Sequence, residues 1–363
     1  MGKYTAIDDP SAHFQAKVYT GSNANQSITN DGNSDLQPDW IFASYRTLPP
    51  YTNHRAIIDS SRGRAKILES DTTAAEATTT LPAYDLVSFD TDGFTVGAVN
   101  STSGLNASGI SHVAWQWKAN GGTTSSNTSG GTTTTVQANQ DAGFSIVTWT
   151  GNSSNTTLGH GLGVEPYVII QKARGTTSNW NVYHKDATNG QQPYNVITNL
   201  NLSDATGIAS NSWGTTASDI NSSTFYLKYW INYNTTNVAY CFAPIQGYSK
   251  FGKYVGNGNT NGAFIYTGFK PAWVMVKQSN TARNWQIFDN KRDGYNKDYM
   301  PRLKADTADA EAASAGASMD FVSNGFKIRT SQTGANQSGG TYIYMAFAEN
   351  PFVTSTGIMG TAR

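Results

Sequence analysis

The sequence repeats itself, and that constrains its fold more than any other feature. Leu68-Glu69-Ser70-Asp71-Thr72-Thr73-Ala74-Ala75-Glu76-Ala77 aligns with Leu303-Lys304-Ala305-Asp306-Thr307-Ala308-Asp309-Ala310-Glu311-Ala312 at an offset of 235 residues. Phe89 to Phe94 aligns with Phe321 to Phe326 at an offset of 232, and Ile57 to Arg62 with Ile287 to Arg292 at 230. A looser middle copy keeps the same order. Trp149-Thr150-Gly151 answers Tyr19-Thr20-Gly21 and Tyr254-Val255-Gly256, and Pro166-Tyr167-Val168 answers Pro38-Asp39-Trp40 and Pro271-Ala272-Trp273. Val238 to Ala243 matches Ile343 to Ala348 and, more weakly, His112 to Trp117. Each copy spans about 105 residues, which predicts three tandem units. The units are 1–118, with 1–13 as an attachment segment, then 143–247 and 248–363. Between the first two, 119–142 is rich in Gly, Ser and Thr and reads as a linker or an extended surface crossing.

Within each unit the segments are short and strand-like. Phe144 to Trp149 lies between Gly143 and Gly151, and Val274 to Lys277 and Trp285 to Phe288 are apolar runs of strand length. Asp92-Gly93 and Asn324-Gly325 lie between apolar residues and predict hairpins whose central positions take positive φ. Ala-rich Thr307 to Ala315, with its counterpart Thr72 to Ala77, predicts the one kind of helix, short and at a sandwich edge. The expected fold is all-β: three tandem antiparallel sandwiches of jelly-roll or lectin-like type, with short edge helices.

Composition narrows the function. Asn, Ser, Thr and Gly supply 146 of 363 residues, while charged residues are only 14% and the formal net charge is zero. No basic footprint marks a nucleic-acid binder, and no apolar run is long enough to insert in a membrane. Aromatic residues, at 12%, are too many for a disordered chain. The first residues contain no apolar signal-peptide region. Cys241 is the only cysteine, so no internal disulfide forms.

The motifs that carry chemistry elsewhere are incomplete here. Gly247 to Lys253 fits a phosphate-binding loop for seven positions, but Tyr254 stands where a hydroxyl must reach magnesium, and no helix follows. Gly159-His160-Gly161-Leu162-Gly163 lacks dinucleotide spacing and reads as a hairpin tip. Asp90-Thr91-Asp92-Gly93 opens like a calcium loop without the later glutamate, and reads as a turn. The five histidines, His13, His54, His112, His160 and His184, have no zinc-ligand spacing. Asp59 and Asp289 recur, each followed by a basic residue, as a structural ion pair would be. Trp40 and Trp273 stand at equivalent places, as do Trp180 and Trp285, and all four read as core. Tyr226, Tyr229, Trp230, Tyr233 and Tyr240 form a dense aromatic region, read as core with glycan stacking or subunit packing as the alternative. No catalytic or metal residue and no cofactor is expected, and the sequence leaves ligand-binding residues unassigned.

One resemblance adds to this reading. Gly143 to Gly151, then Gly159 to Gly163 and Pro166, together with Gly247 to Gly252 and Tyr342 to Glu349, resemble segments of marine bacteriophage structural proteins. The likeness covers about residues 110–352 and is weakest in the first unit. It implies a non-enzymatic virion surface protein, folded in the bacterial cytoplasm and displayed outside. A tail fibre or spike for host attachment through surface glycans comes first, a head decoration protein second, and a polysaccharide depolymerase third. The implied partners are other virion proteins, host glycans and further copies of the chain, a trimer among them.

Overall fold

The computed structural model describes residues 5–47, 54–78, 85–98, 105–292, 296, 300–312 and 318–360. The chain is all-β and antiparallel, built as three sandwiches whose large sheets share one strand order. In the first sandwich, Phe14–Thr20 pairs with Ser111–Trp117, which pairs with Trp40–Tyr45, followed by Ala56–Asp59, Lys66–Glu69 and Ala77–Thr78. In the third, the order is Ser249–Val255, Thr341–Pro351, Phe269–Gln278, Gln286–Asp289 and Leu303–Lys304. The second runs Phe144–Thr150, Thr236–Phe242, Val168–Ala173, Asn181–His184, Val196–Asn199 and Gly207–Ile208. Two further strands, Ser125–Asn127 and Thr134–Asn139, extend its first edge.

Those two strands lie in the stretch read as a linker, so that reading is corrected. Thr134–Asn139 zips along Phe144–Thr150 from Thr135 opposite Thr148 to Asn139 opposite Phe144. The stretch is also anchored to the first sandwich. The buried Asp39 carboxylate accepts from the backbone N–H groups of Ala119, Gly121 and Gly122 at 2.7–2.8 Å, and from the Ser60 hydroxyl at 2.6 Å.

Alternation along each strand builds two kinds of core. One face of each large sheet packs under a small outer sheet. Ile41, Ile58 and Ala114 meet Ile28, Phe94 and Val96 in the first sandwich, and Ile169 and Cys241 meet Leu158 and Phe225 in the second. The third repeats this with Val274, Phe288, Phe326 and Ile328. The opposite faces of all three large sheets converge on a single shared core. Trp117, Phe242 and Phe347 occupy the same sheet position, opposite Trp40, Val168 and Trp273 respectively. Their rings meet, with 5.4 Å between the centroids of Trp117 and Phe347 and 5.9 Å between Phe242 and Phe347. In the first sandwich the register differs by one residue from the sequence alignment, which set Gln116 beside Phe242. A one-residue slip exchanges the faces of a strand, and here it turns Trp115 and Trp117 into the shared core.

The sandwiches join head to tail by equivalent bonds. Glu76 N–H donates to Arg174 O, Thr206 N–H to Ser279 O and Glu311 N–H to Arg46 O, at 2.7, 2.8 and 2.9 Å. Beside them, Trp180 Nε1 donates to Glu69 O, Trp285 Nε1 to Asn199 O and Arg55 Nε to Lys304 O. The second sandwich thus grips the first, the third grips the second, and the first grips the third. The ring is closed within one chain.

The expected edge helices are absent from the described residues of their segments. Thr72 to Ala77 and Thr307 to Ala312 are bends and irregular chain that reach strand or bridge pairing only at Ala77 and Ala312, because they lie at these junctions, where Glu76 and Glu311 lend their N–H groups to a neighbouring sandwich. Residues 313–315 fall outside the described residues. Among the described residues, helices are confined to three short 3-10 turns and one four-residue turn, Thr333–Asn336. Of the attachment segment, residues 5–13 are packed: Ile7 joins the shared core and Ala6 N–H donates to Gln246 O at 3.0 Å. Both predicted hairpins form, with different turns. Gly93 alone takes positive φ in the first, and the second turns on Ser323-Asn324 with neither in that region. Gly325 lies in the strand, where a Cβ would meet Ile265 O at 2.1 Å.

Candidate functional site

The close approach at Gly325 lets the outer sheet of the third sandwich carry a short edge strand, Phe264–Tyr266. Ile265 points inward and is buried, while Phe264 and Tyr266 are 48% and 53% exposed on the same outer face. Two large aromatic rings side by side on a sheet rim contribute nothing to the core, so their exposure calls for a surface role. Lys250, on the first strand of the large sheet, reaches this rim. Its Nζ donates to Tyr266 O at 2.9 Å and stands 5.2 Å from the Tyr266 ring centroid.

Beside the rim lies a groove of about 390 Å³, where the second sandwich passes into the third. Gln246, Lys250, Tyr266, Thr267 and Phe352 line it. Gly247, which also lines it, takes φ +80°, and a Cβ there would meet Thr5 Oγ1 at 1.9 Å, so only glycine fits beside the N-terminal segment. The buried Thr267 hydroxyl donates to Phe269 O at 2.6 Å and accepts from Phe269 N–H at 3.4 Å, which fixes the turn into the next strand. The groove therefore offers an aromatic face, a cation and an amide within one concavity, a combination suited to a polar ligand with an apolar side.

A domain family of unknown function, DUF7483, matches residues 9–351, across all three sandwiches. The chain belongs to this family. No curated protein and no solved structure matches it.

In this DUF7483 chain the motifs singled out from the sequence are spread through the framework. The phosphate-loop-like stretch enters the strand Ser249–Val255, whose extended backbone cannot cradle a phosphate. His160 is buried, with Nε2 3.0 Å from Asn221 O and Nδ1 accepting from Leu162 N–H, so it ties down the glycine-rich segment, which crosses between two sheets and is not the expected hairpin tip. Asp90 accepts from the Ser88 and Thr95 hydroxyls, and Asp92 from Leu36 N–H. Among the described residues no group of three His, Cys, Asp or Glu side chains is placed to hold a metal ion. Asp59 and Asp289 each form a buried ion pair with the arginine three residues on, Arg62 and Arg292. They also accept from a neighbouring sandwich, Asp59 from the Tyr240 hydroxyl at 2.7 Å and Asp289 from Trp115 Nε1 at 2.9 Å. Glu76 and Glu311 complete the pairs by bridging Arg62 to Arg174 and Arg292 to Arg46. This chemistry holds the ring together.

The remaining histidines are also apart. His13 meets Asn139, His54 meets Asp71, and His112 and His184 are buried, their pKa values pushed down to about 4 chiefly by that burial. Trp40, Trp180, Trp273 and Trp285 are buried as read. The dense aromatic region divides: Tyr240 is in the shared core, Tyr226 and Tyr233 are half-buried, and Tyr229 and Trp230 are exposed. Phe264 and Tyr266 had no distinguishing sequence signal. In Phe264-Ile265-Tyr266 every position is apolar, so alternation cannot say which face is outside.

Proposed function

We propose that this chain is a non-enzymatic surface component of a bacteriophage particle and that it holds the particle to cell-surface glycans through the groove at Tyr266. The observation that carries the reading is the exposed pair Phe264 and Tyr266 on one sheet face, with Tyr266 lining a concavity of mixed polar and apolar character. A pyranose presents a face of C–H groups that packs on an aromatic ring and a periphery of hydroxyls that need donors and acceptors. Tyr266 supplies the ring, Lys250 a donor, and the Gln246 amide a donor and an acceptor. An open groove also suits an internal unit of a longer chain. The resemblance to phage structural proteins supports the setting, and further copies and other virion proteins are the proposed partners there.

Head decoration is the second reading, favoured by the closed ring of three sandwiches. Such a ring has approximate threefold symmetry inside one chain and fits a threefold position on a shell without two further copies. Gold-labelled antibody imaging of intact particles tests the setting. Label on tail fibres supports attachment, label over the head supports decoration, and particles without label refute both. Glycan-array binding by the full chain, lost in Tyr266→Ala with the denaturation midpoint unchanged, tests the groove. Binding that survives Tyr266→Ala refutes it.

A further inference from the structure

The groove at Tyr266 presents a cation and has no carboxylate in its lining. Lys250 is the only ionisable side chain among its lining residues apart from Tyr266 itself. Among the described residues no carboxylate lies within ion-pair distance of its ammonium, and the one acceptor given to it is the Tyr266 carbonyl. An ammonium has three N–H bonds, so donor capacity remains toward the groove. The contrast with the neighbouring concavities is direct. Between the first and third sandwiches the lysine at the rim, Lys291, is already neutralised by Asp31 at 2.8 Å. The concavity near the N-terminal segment carries Asp8, Asp9 and Asp141. In a chain of zero net charge, the positive character at Tyr266 is therefore local. Partial burial of Lys250 removes water that would otherwise screen it, and a charge-assisted bond gains strength in that setting.

We propose that the saccharide bound at this groove is acidic, with a ring carboxylate of the uronic-acid type accepting from Lys250 Nζ while the C–H face of the same or the adjacent sugar stacks on Tyr266. This rests on the glycan reading above and names the ligand class within it. The carboxylate replaces water at the ammonium, and the ring stacking fixes the direction from which it arrives. Phe264, two residues along the same face, extends the platform to a neighbouring sugar unit.

The experiment is calorimetric titration of the full chain with oligogalacturonate, with the same oligomer after reduction of its carboxyl groups, and with a library of acidic and neutral bacterial-surface polysaccharide fragments. One charge-assisted bond predicts that an acidic ligand binds about tenfold more tightly than its reduced form. Lys250→Met abolishes that difference, Lys250→Arg retains most of it, and Tyr266→Ala weakens both forms. Lys250 is half-buried and bonds Tyr266 O, so denaturation midpoints of the lysine variants are measured beside the affinities, and the charge-retaining Lys250→Arg separates loss of the carboxylate contact from loss of fold. Equal affinity for acidic and reduced ligands, or an unchanged affinity in Lys250→Met, overturns the acidic assignment and leaves glycan binding standing. Failure of every acidic and neutral fragment to bind overturns both.

Discussion

Acid should loosen this molecule at His184, and by an amount the structure lets one work out. His184 occupies the sheet position held by Asp59 and Asp289 in the other sandwiches, opposite Val168 as they are opposite Trp40 and Trp273. Its two ring nitrogens face one acceptor and one donor. Nε2 lies 3.2 Å from Tyr344 O, across the boundary with the third sandwich, and Nδ1 lies 3.1 Å from Asp186 N–H. The neutral ring with its proton on Nε2 satisfies both. A second proton on Nδ1 would turn donor against donor in a buried place. Burial therefore lowers the pKa to about 4, against small opposing pulls from the Tyr344 carbonyl and the Asp186 charge, while Lys253 adds to the lowering. The unfolded chain takes up a proton near pH 6.5, so the stability contributed by His184 is whole above that value and drains as pH falls toward 4. A shift of that size corresponds to about 3 kcal/mol, taken as an upper estimate. Urea denaturation at steps between pH 7.5 and 4 measures it, with His184→Gln as the comparison, since glutamine can donate and accept without titrating. The parent should lose about 3 kcal/mol more than the variant across that range. Parallel pH profiles would refute the reasoning.

Other perturbations give separate tests. Asp39→Ala removes the acceptor of three backbone N–H groups and a hydroxyl; it should cost about 2–4 kcal/mol and speed proteolysis near residues 119–122. Glu76→Gln weakens the bridge between Arg62 and Arg174 and should cost about 3 kcal/mol, whereas Lys185→Ala, which breaks the exposed pair with Glu165, should cost under about 1 kcal/mol by the same denaturation assay. Lys172 and Lys277, buried against carbonyl oxygens at two junctions, have pKa values lowered to about 8 by burial. The unfolded chain then holds more protons above pH 8, so stability should rise from pH 8 toward 10, and Lys172→Met with Lys277→Met should flatten that rise.

Much of the strand framework can be read from the sequence because short apolar runs alternate with glycine and asparagine turns. The offset of 235 that links Leu68 to Leu303 links two residues with the same pairing, Leu68 opposite Ile57 and Leu303 opposite Ile287. What could not be read depends on contacts between distant segments. The alanines of Thr72 to Ala77 favour helix locally, but Glu76 gives its N–H to Arg174, some hundred residues on, and tertiary pairing overrides propensity. Residues 119–142 have the composition of a linker, yet an open sheet edge at Phe144–Thr150 recruits them as strands. The buried ion pairs of Asp59 and Asp289 were legible from the basic residue three positions on, while their bonds to Tyr240 and Trp115 were not. The groove at Tyr266 was hidden for a similar reason, since it is assembled from Gly247, Lys250, Tyr266 and Phe352.

The head-to-tail ring also sets how the molecule can come apart. Three bodies in a row share two contacts, and an end body can melt at the expense of one. Three bodies in a ring share three, and the loss of any one body breaks two and opens the shared aromatic core to water. A species with two sandwiches folded is then penalised from both sides, so partly folded states are sparsely populated. Where linear repeat arrays fray from their ends, this chain should melt in a single transition despite its 363 residues, and an isolated sandwich excised from it should fail to hold its fold.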